Sequence, residues 1–137
     1  MLHYPFTAKH TRREGRIINI ELIKNESQSI AVVESDDLII KDAGSALDFV
    51  MSVQYETKSN RIALNKDAIA EEFFILSTGL AGEVLQKFIN YHIKFAIYGD
   101  FSKYTSKPLK DFIYESNHGT TTFFVASKEE AVSKLAL

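Results

Sequence analysis

The stretch Arg61–Gly99, RIALNKDAIAEEFFILSTGLAGEVLQKFINYHIKFAIYG, decides the fold. It begins on a short apolar strand pattern, RIALN, and ends on another, KFAIYG. Between them lie two helical patterns, Asp67–Leu76 and Leu80–Tyr91. A glycine inside a helix costs about 1 kcal/mol, so Thr78-Gly79 predicts a break or kink between the two. In the second pattern Leu80, Ala81, Val84, Leu85, Phe88 and Ile89 recur at helical spacing on one face. Glu83, Gln86, Lys87 and Asn90 occupy the other. Two strands joined through a helical connection of this length form a parallel pair, with the helices covering the sheet.

Working outward, the same alternation continues. After Gly99 a polar loop leads to a helix that Ser106 can cap, with Pro108 in its first turn and Leu109, Phe112 and Ile113 as its buried stripe. Gly119 is placed to close that helix in the left-handed conformation. TTFFVA is the next strand. Ser127 with Glu130 then forms a capping-box pattern before an amphipathic helix through Ala131, Val132 and Leu135. Toward the start, Ile17–Ile23 and Ser29–Glu34 are rich in β-branched residues around the polar turn NESQS, which predicts a hairpin. A short DLII follows. Asp42 can cap a helix carrying Ala43, Leu47, Val50 and Met51, with Phe49 and Val53 widening its apolar face. Residues 1–15 have no useful periodicity and are read as an exposed lead-in, docked on the domain or mobile. The expectation is one α/β domain over residues 16–137. Its single-layer, mixed, largely parallel sheet has about five strands, with helices packed on it.

Composition narrows the function classes. The chain has 137 residues, 45% hydrophobic and 25% charged, with a net charge of −2. These are values of a globular domain with no global field for nucleic acid or an anionic membrane. It has no cysteine, which removes disulfides, thiolate nucleophiles and Cys-ligated zinc. Its apolar runs fall far below the roughly 20 residues of a membrane span. The first residues lack the apolar core of a secretory signal, so a cytoplasmic location is expected.

Long quoted runs carry a resemblance to a known family. EEFFILSTGLAGEVLQKFINYHIKFAIYGDFSKYTSKPLKDFIYESNHGTTTFFVASKEEA (Glu71–Ala131), with the segment preceding it, resembles an uncharacterised bacterial family, domain of unknown function DUF4180. That resemblance implies no reaction, ligand or catalytic residue. The order of elements also resembles the STAS domain of sulfate transporters and anti-sigma-factor antagonists. Such domains are mostly non-enzymatic, bind protein partners and sometimes nucleotides, and some are switched by phosphorylation. The switch hydroxyl opens a helix after a central strand. Here Asn65-Lys66-Asp67-Ala68 holds that place without a hydroxyl.

Candidate sites follow from the rule that ligands of parallel α/β sheets meet the loops leaving the carboxyl ends of strands. Those loops are Asn65-Lys66-Asp67, Asp100–Lys107 and Ser127-Lys128. The richest set is Asp100, Ser102, Lys103, Tyr104, Thr105 and Ser106, where Lys103 and Lys107 beside helix-start amides could hold an anion. Ser106 has a structural reading as a cap, and Gly99-Asp100 as a turn. Gly79-Leu80-Ala81-Gly82 lacks the Walker spacing and is read as close packing at a helix start. Glu83, Gln86, Lys87 and Asn90 are the candidate partner-facing stripe; a solvated helix face has the same pattern. No histidine pair has zinc spacing. His92 and His118 sit near expected helix ends, where an imidazolium favours the macrodipole. There is no G-x-S-x-G elbow, so no catalytic residue, metal or cofactor is assigned. The aromatics Tyr98, Phe101, Tyr104 and Tyr114 alternate with lysines as in stacking platforms, but net acidity weighs against nucleic acid. The expected function is a non-enzymatic regulatory or protein-interaction module, with a protein partner or a second copy. The alternative is a small-molecule or nucleotide-binding protein that uses the strand-end loops.

Overall fold

The computed structural model describes the backbone of residues 4–13, 16–24 and 27–137, and the side chains of 18–24 and 27–137. The elements run β1 (Tyr4–Arg13), β2 (Arg16–Lys24), β3 (Ser29–Ser35), α1 (Ala43–Thr57), β4 (Arg61–Asn65), α2 (Leu80–Asn90), β5 (Lys94–Tyr98), α3 (Lys107–Asn117), β6 (Thr122–Val125) and α4 (Lys128–Leu135). All six strands form one sheet in sequential order. β1, β2 and β3 pair antiparallel, while β3, β4, β5 and β6 pair parallel. The mixed, largely parallel α/β fold is therefore as read. The additional strand comes from the segment read as a lead-in, whose residues Tyr4–Arg13 supply the backbone of β1. The turn of the expected hairpin at Asn25-Glu26 lies outside the described residues, as do residues 1–3 and 14–15.

Sequential strand order sets the layers. Successive parallel crossovers of one hand, stepping in one direction, place their helices on the same face. One core contains Phe49, Val50 and Val53 of α1, Val84 and Phe88 of α2, and Leu109 of α3 against Ala31, Val33, Ile62, Leu64, Phe95 and Ile97 of the sheet. The opposite face packs Ile30, Val32, Ala63, Ala96, Phe123 and Val125 against Ala131, Val132 and Leu135 of α4. Central strands are buried on both faces, which explains why they read as continuous apolar runs instead of alternating ones.

Three expectations are corrected. The helix expected over Asp67–Leu76 is a series of short 3-10 turns, Lys66–Ala68, Glu71–Phe74 and Leu76–Thr78. The carbonyl of Ala68 accepts from the amides of Ile39 and Ile40, and the Ala70 amide donates to Ile40. Ile69 makes a parallel bridge with Ile40. Those long-range bonds occupy backbone groups that an α-helix would pair internally, so tertiary pairing overrides helical propensity. Gly79 does interrupt the pattern, but through a φ of 79°, and an added Cβ at Gly79 or Gly82 would meet open space. Close packing is therefore not their role. Gly119 is not left-handed; among the described non-glycine residues, the positive φ values belong to Lys58 and His92, just beyond α1 and α2.

The helix starts follow their caps. Ser106 accepts from the Leu109 amide, and Ser127 from that of Glu130. Asp42 forms a reciprocal box with Ser45. Two asparagine amides extend the sheet by imitating a strand. Asn65 accepts from the Ser35 amide at 2.9 Å and donates to the Ser35 carbonyl at 2.8 Å. Asn117 does the same to Phe124 on β6, at 2.7 and 3.0 Å. At the other end of the sheet, Arg61 donates to the carbonyls of Leu135 and Leu137, and Lys94 to that of Leu137. Cations there complement the carbonyl end of α4.

A candidate ligand site at the carboxyl ends of the parallel strands

The carboxyl ends of β3, β4 and β5 surround a concavity of about 360 Å³ lined by Glu34, Asn65, Lys66, Asp67, Tyr98, Gly99, Asp100 and Lys103. Its base is rigid. Tyr98 is buried and its hydroxyl donates to the Val33 carbonyl at 2.8 Å, while the Asn65 amide is engaged by Ser35. Burial, then the charges of Glu34 and Glu21, push the Tyr98 phenol well above its usual range. Both groups therefore shape the floor and have their hydrogen bonds already committed.

The rim carries the charge. Lys66 lies along Gly99, where an added Cβ would stand 2.9 Å from the Lys66 Cβ; Gly99 itself has a φ of 155°. Only glycine lets the two loops approach this closely. The Lys66 ammonium is 3.4 Å from Asp67 and 5.4 Å from the centre of the Tyr104 ring. Lys103 lies 5.2 Å from the same ring and pairs with Glu71 at 3.0 Å. Glu71 also accepts from the Tyr104 hydroxyl at 3.0 Å. Its carboxyl is held low, first by the hydrogen bond from Lys103 and then by that from Tyr104, against the opposing effect of burial. The Asp100 carboxyl is lowered by hydrogen bonds from the backbone and side chain of Ser102. Glu34 pairs with Lys128 at the start of α4, at 2.6 Å.

Of the richest set singled out, Asp100 and Lys103 come together in the concavity, beside Asn65, Lys66 and Asp67 of the preceding strand-end loop. Tyr104 instead stacks on Phe74 at 5.0 Å, and Phe101 packs between Phe74 and Phe124. Those rings anchor the loop to the core, an explanation that its sequence alone did not supply. Ser106 caps α3; Ser102 and Thr105 are exposed. Glu83, Gln86, Lys87 and Asn90 are exposed on α2, where Gln86 donates to Asn90. Sequence reasoning did not place Glu34 or Glu71 at the site, and named Tyr98 only as a stacking aromatic. Glu34 was a strand residue, Tyr98 a core one, and Glu71 belonged to an expected helix. Only the strand-end rule could have pointed to the first two. No group of three or more His, Asp or Glu suited to a metal occurs among the described residues. Among them, too, no helix is long and apolar enough to cross a membrane.

A family model matches residues 25–135, that of the domain of unknown function DUF4180. The chain belongs to this family. The match takes in β3 through α4, hence every residue lining the concavity, while β1 and β2 precede it. DUF4180 carries no reaction or ligand in its description. No curated protein matches the chain.

Proposed function

We propose that this DUF4180 domain is a non-catalytic binding module that seats a small polar ligand at the carboxyl ends of β3, β4 and β5. The observation that carries this reading is the concavity at the strand ends, whose Tyr98 and Asn65 floor has its hydrogen bonds already made to Val33 and Ser35. The titrating groups nearby support the absence of catalysis. Glu71 and Asp100 are lowered, and Tyr98 and Tyr104 are raised. An acid-base catalyst is tuned toward the working pH. These groups are tuned away from neutrality, which suits fixed charges and fixed hydrogen bonds. The test is amide chemical-shift mapping against a panel of amino acids, nucleotides, sugar phosphates and polyamines. Saturable shifts confined to Glu34, Asn65–Asp67 and Tyr98–Lys103 are expected. No saturable shift with any compound in the panel overturns the reading.

A second reading, a STAS-like regulatory module acting on a protein partner in the cytoplasm, is favoured by the surface of α2. Glu83, Gln86, Lys87 and Asn90 lie there beside Ile89 and Tyr91, which are 47% and 49% exposed. Apolar side chains within a polar rim suit a protein contact. A phosphoswitch is not part of this reading, because Asn65-Lys66-Asp67 has no hydroxyl to modify. Purification from native cells should recover one specific partner, lost on Lys87→Glu together with Ile89→Asp. Repeated recovery of the protein alone counts against the reading.

A further inference from the structure

We infer that the ligand held in the strand-end concavity carries an oxyanion, a carboxylate or phosphate group, and that the Lys66 ammonium is its principal contact. The inference rests on the binding-module reading above and specifies the chemistry of that seat. It follows from comparing the ion pairs that the described residues form.

The side chain of Lys66 is 11% exposed, against 41% or more for every other lysine in the described salt bridges. Burying a charge is costly unless a close partner repays the lost hydration. The most buried lysine of the four should therefore have the tightest pair. It has the loosest. Lys66 stands 3.4 Å from an Asp67 carboxylate that is 80% exposed, whereas the other three pairs close to between 2.6 and 3.0 Å.

The position is also built into the backbone. Lys66 reaches it only because Gly99 has no Cβ, so the arrangement uses a glycine at a φ of 155°. The Tyr104 ring face adds attraction for a cation at about this distance. A surface lysine would need neither feature. Lys103 pairs with Glu71 and Glu34 with Lys128, and the Asp100 carboxylate accepts from the Ser102 amide; Glu71 and Asp100 feel the Lys66 charge through space, but neither closes an ion pair with it. Lys66 is thus a mostly buried lysine whose only close carboxylate among the described residues is exposed and loosely held, facing a volume near the low end for small-molecule pockets. An incoming oxyanion would replace the water-exposed Asp67 carboxylate at Lys66. About 360 Å³ leaves room beside the anionic group for the rest of a larger ligand.

The experiment titrates the protein with sodium phosphate and, separately, with sodium succinate, at constant ionic strength set by sodium chloride, and follows amide shifts. Saturable movement of Asn65–Asp67 and Gly99–Lys103 with either anion is expected. Phosphate alone would assign a phosphate ester, and succinate alone a carboxylate. Lys66→Met keeps the length of the stem and removes the charge, and should weaken binding tenfold or more. Lys107→Met, outside the concavity, should leave it unchanged. A cooperative thermal transition for each variant verifies folding. Equal binding by Lys66→Met, or equal loss in Lys107→Met, overturns the inference. If neither anion binds but a neutral or cationic compound moves the same amides, the inference fails and the seat stands. If nothing moves them, both fail.

Discussion

Lys66 crosses the loop after β5 only because position 99 carries no Cβ. Gly99→Ala puts a methyl group 2.9 Å from the Lys66 Cβ, on a backbone conformation that L residues rarely adopt. The expected cost is about 1–3 kcal/mol, read from urea unfolding, with the Lys66 side chain displaced from the concavity. Wild-type stability in this variant would show that the contact is not close. Glu71 is the neighbouring residue with a pH signature. Its carboxyl lies below the ordinary 4.5, chiefly through the Lys103 hydrogen bond. A depressed folded pKa adds stability that is present above the unfolded value and lost as pH falls through the folded one. Glu71→Gln should therefore unfold at lower urea than wild type at neutral pH. The gap should close as the pH drops below about 4.5. A gap that is unchanged at acid pH would remove the charge from the explanation. The Glu71 carboxylate is well exposed, so the effect is modest.

At the scale of elements, the connection from β4 to β5 separates conformational need from packing need. Gly79 precedes α2 with a φ of 79°, while Gly82 lies within that helix, and neither is crowded. Gly79→Ala should cost about 1 kcal/mol through left-handed strain alone. Gly82→Ala should stabilise by about 0.5–1 kcal/mol, because alanine loses less entropy in a helix and has room here. Thermal unfolding of the two single variants checks both signs, and destabilisation by Gly82→Ala would mean that a neighbour packs there after all. This connection also marks where sequence reading reached its limit. α2 was legible from its apolar stripe, and α3 and α4 from local caps as well, since Ser106 and Ser127 act within three residues of themselves. The 3-10 turns were not. Their geometry depends on bonds to Ile39 and Ile40, far away along the chain.

Over the whole molecule, the sheet has two apolar faces with unequal cover. α1, α2 and α3 share one face, and α4 packs on β3 to β6 across the other. Leu135, fully buried in that second core, should therefore matter as much as a central residue. Leu135→Ala is expected to cost about 2–5 kcal/mol, measured by urea unfolding. A loss below 1 kcal/mol would mean that α4 is peripheral to stability. The sequence by itself determined the α/β class, the helix-strand alternation, the caps at Asp42, Ser106 and Ser127, and the strand-end location of a candidate site. All of these depend on periodicity and on residues within one turn of each other. Only the tertiary structure decided that Tyr4–Arg13 adds a strand and that Phe101 and Tyr104 anchor the loop after β5. It alone showed that the Lys66 side chain lies mostly buried over Gly99, with Glu71 near the same rim. These features arise from contacts between chain segments far apart in sequence, and no local pattern encodes which distant groups will be brought within 3 or 4 Å.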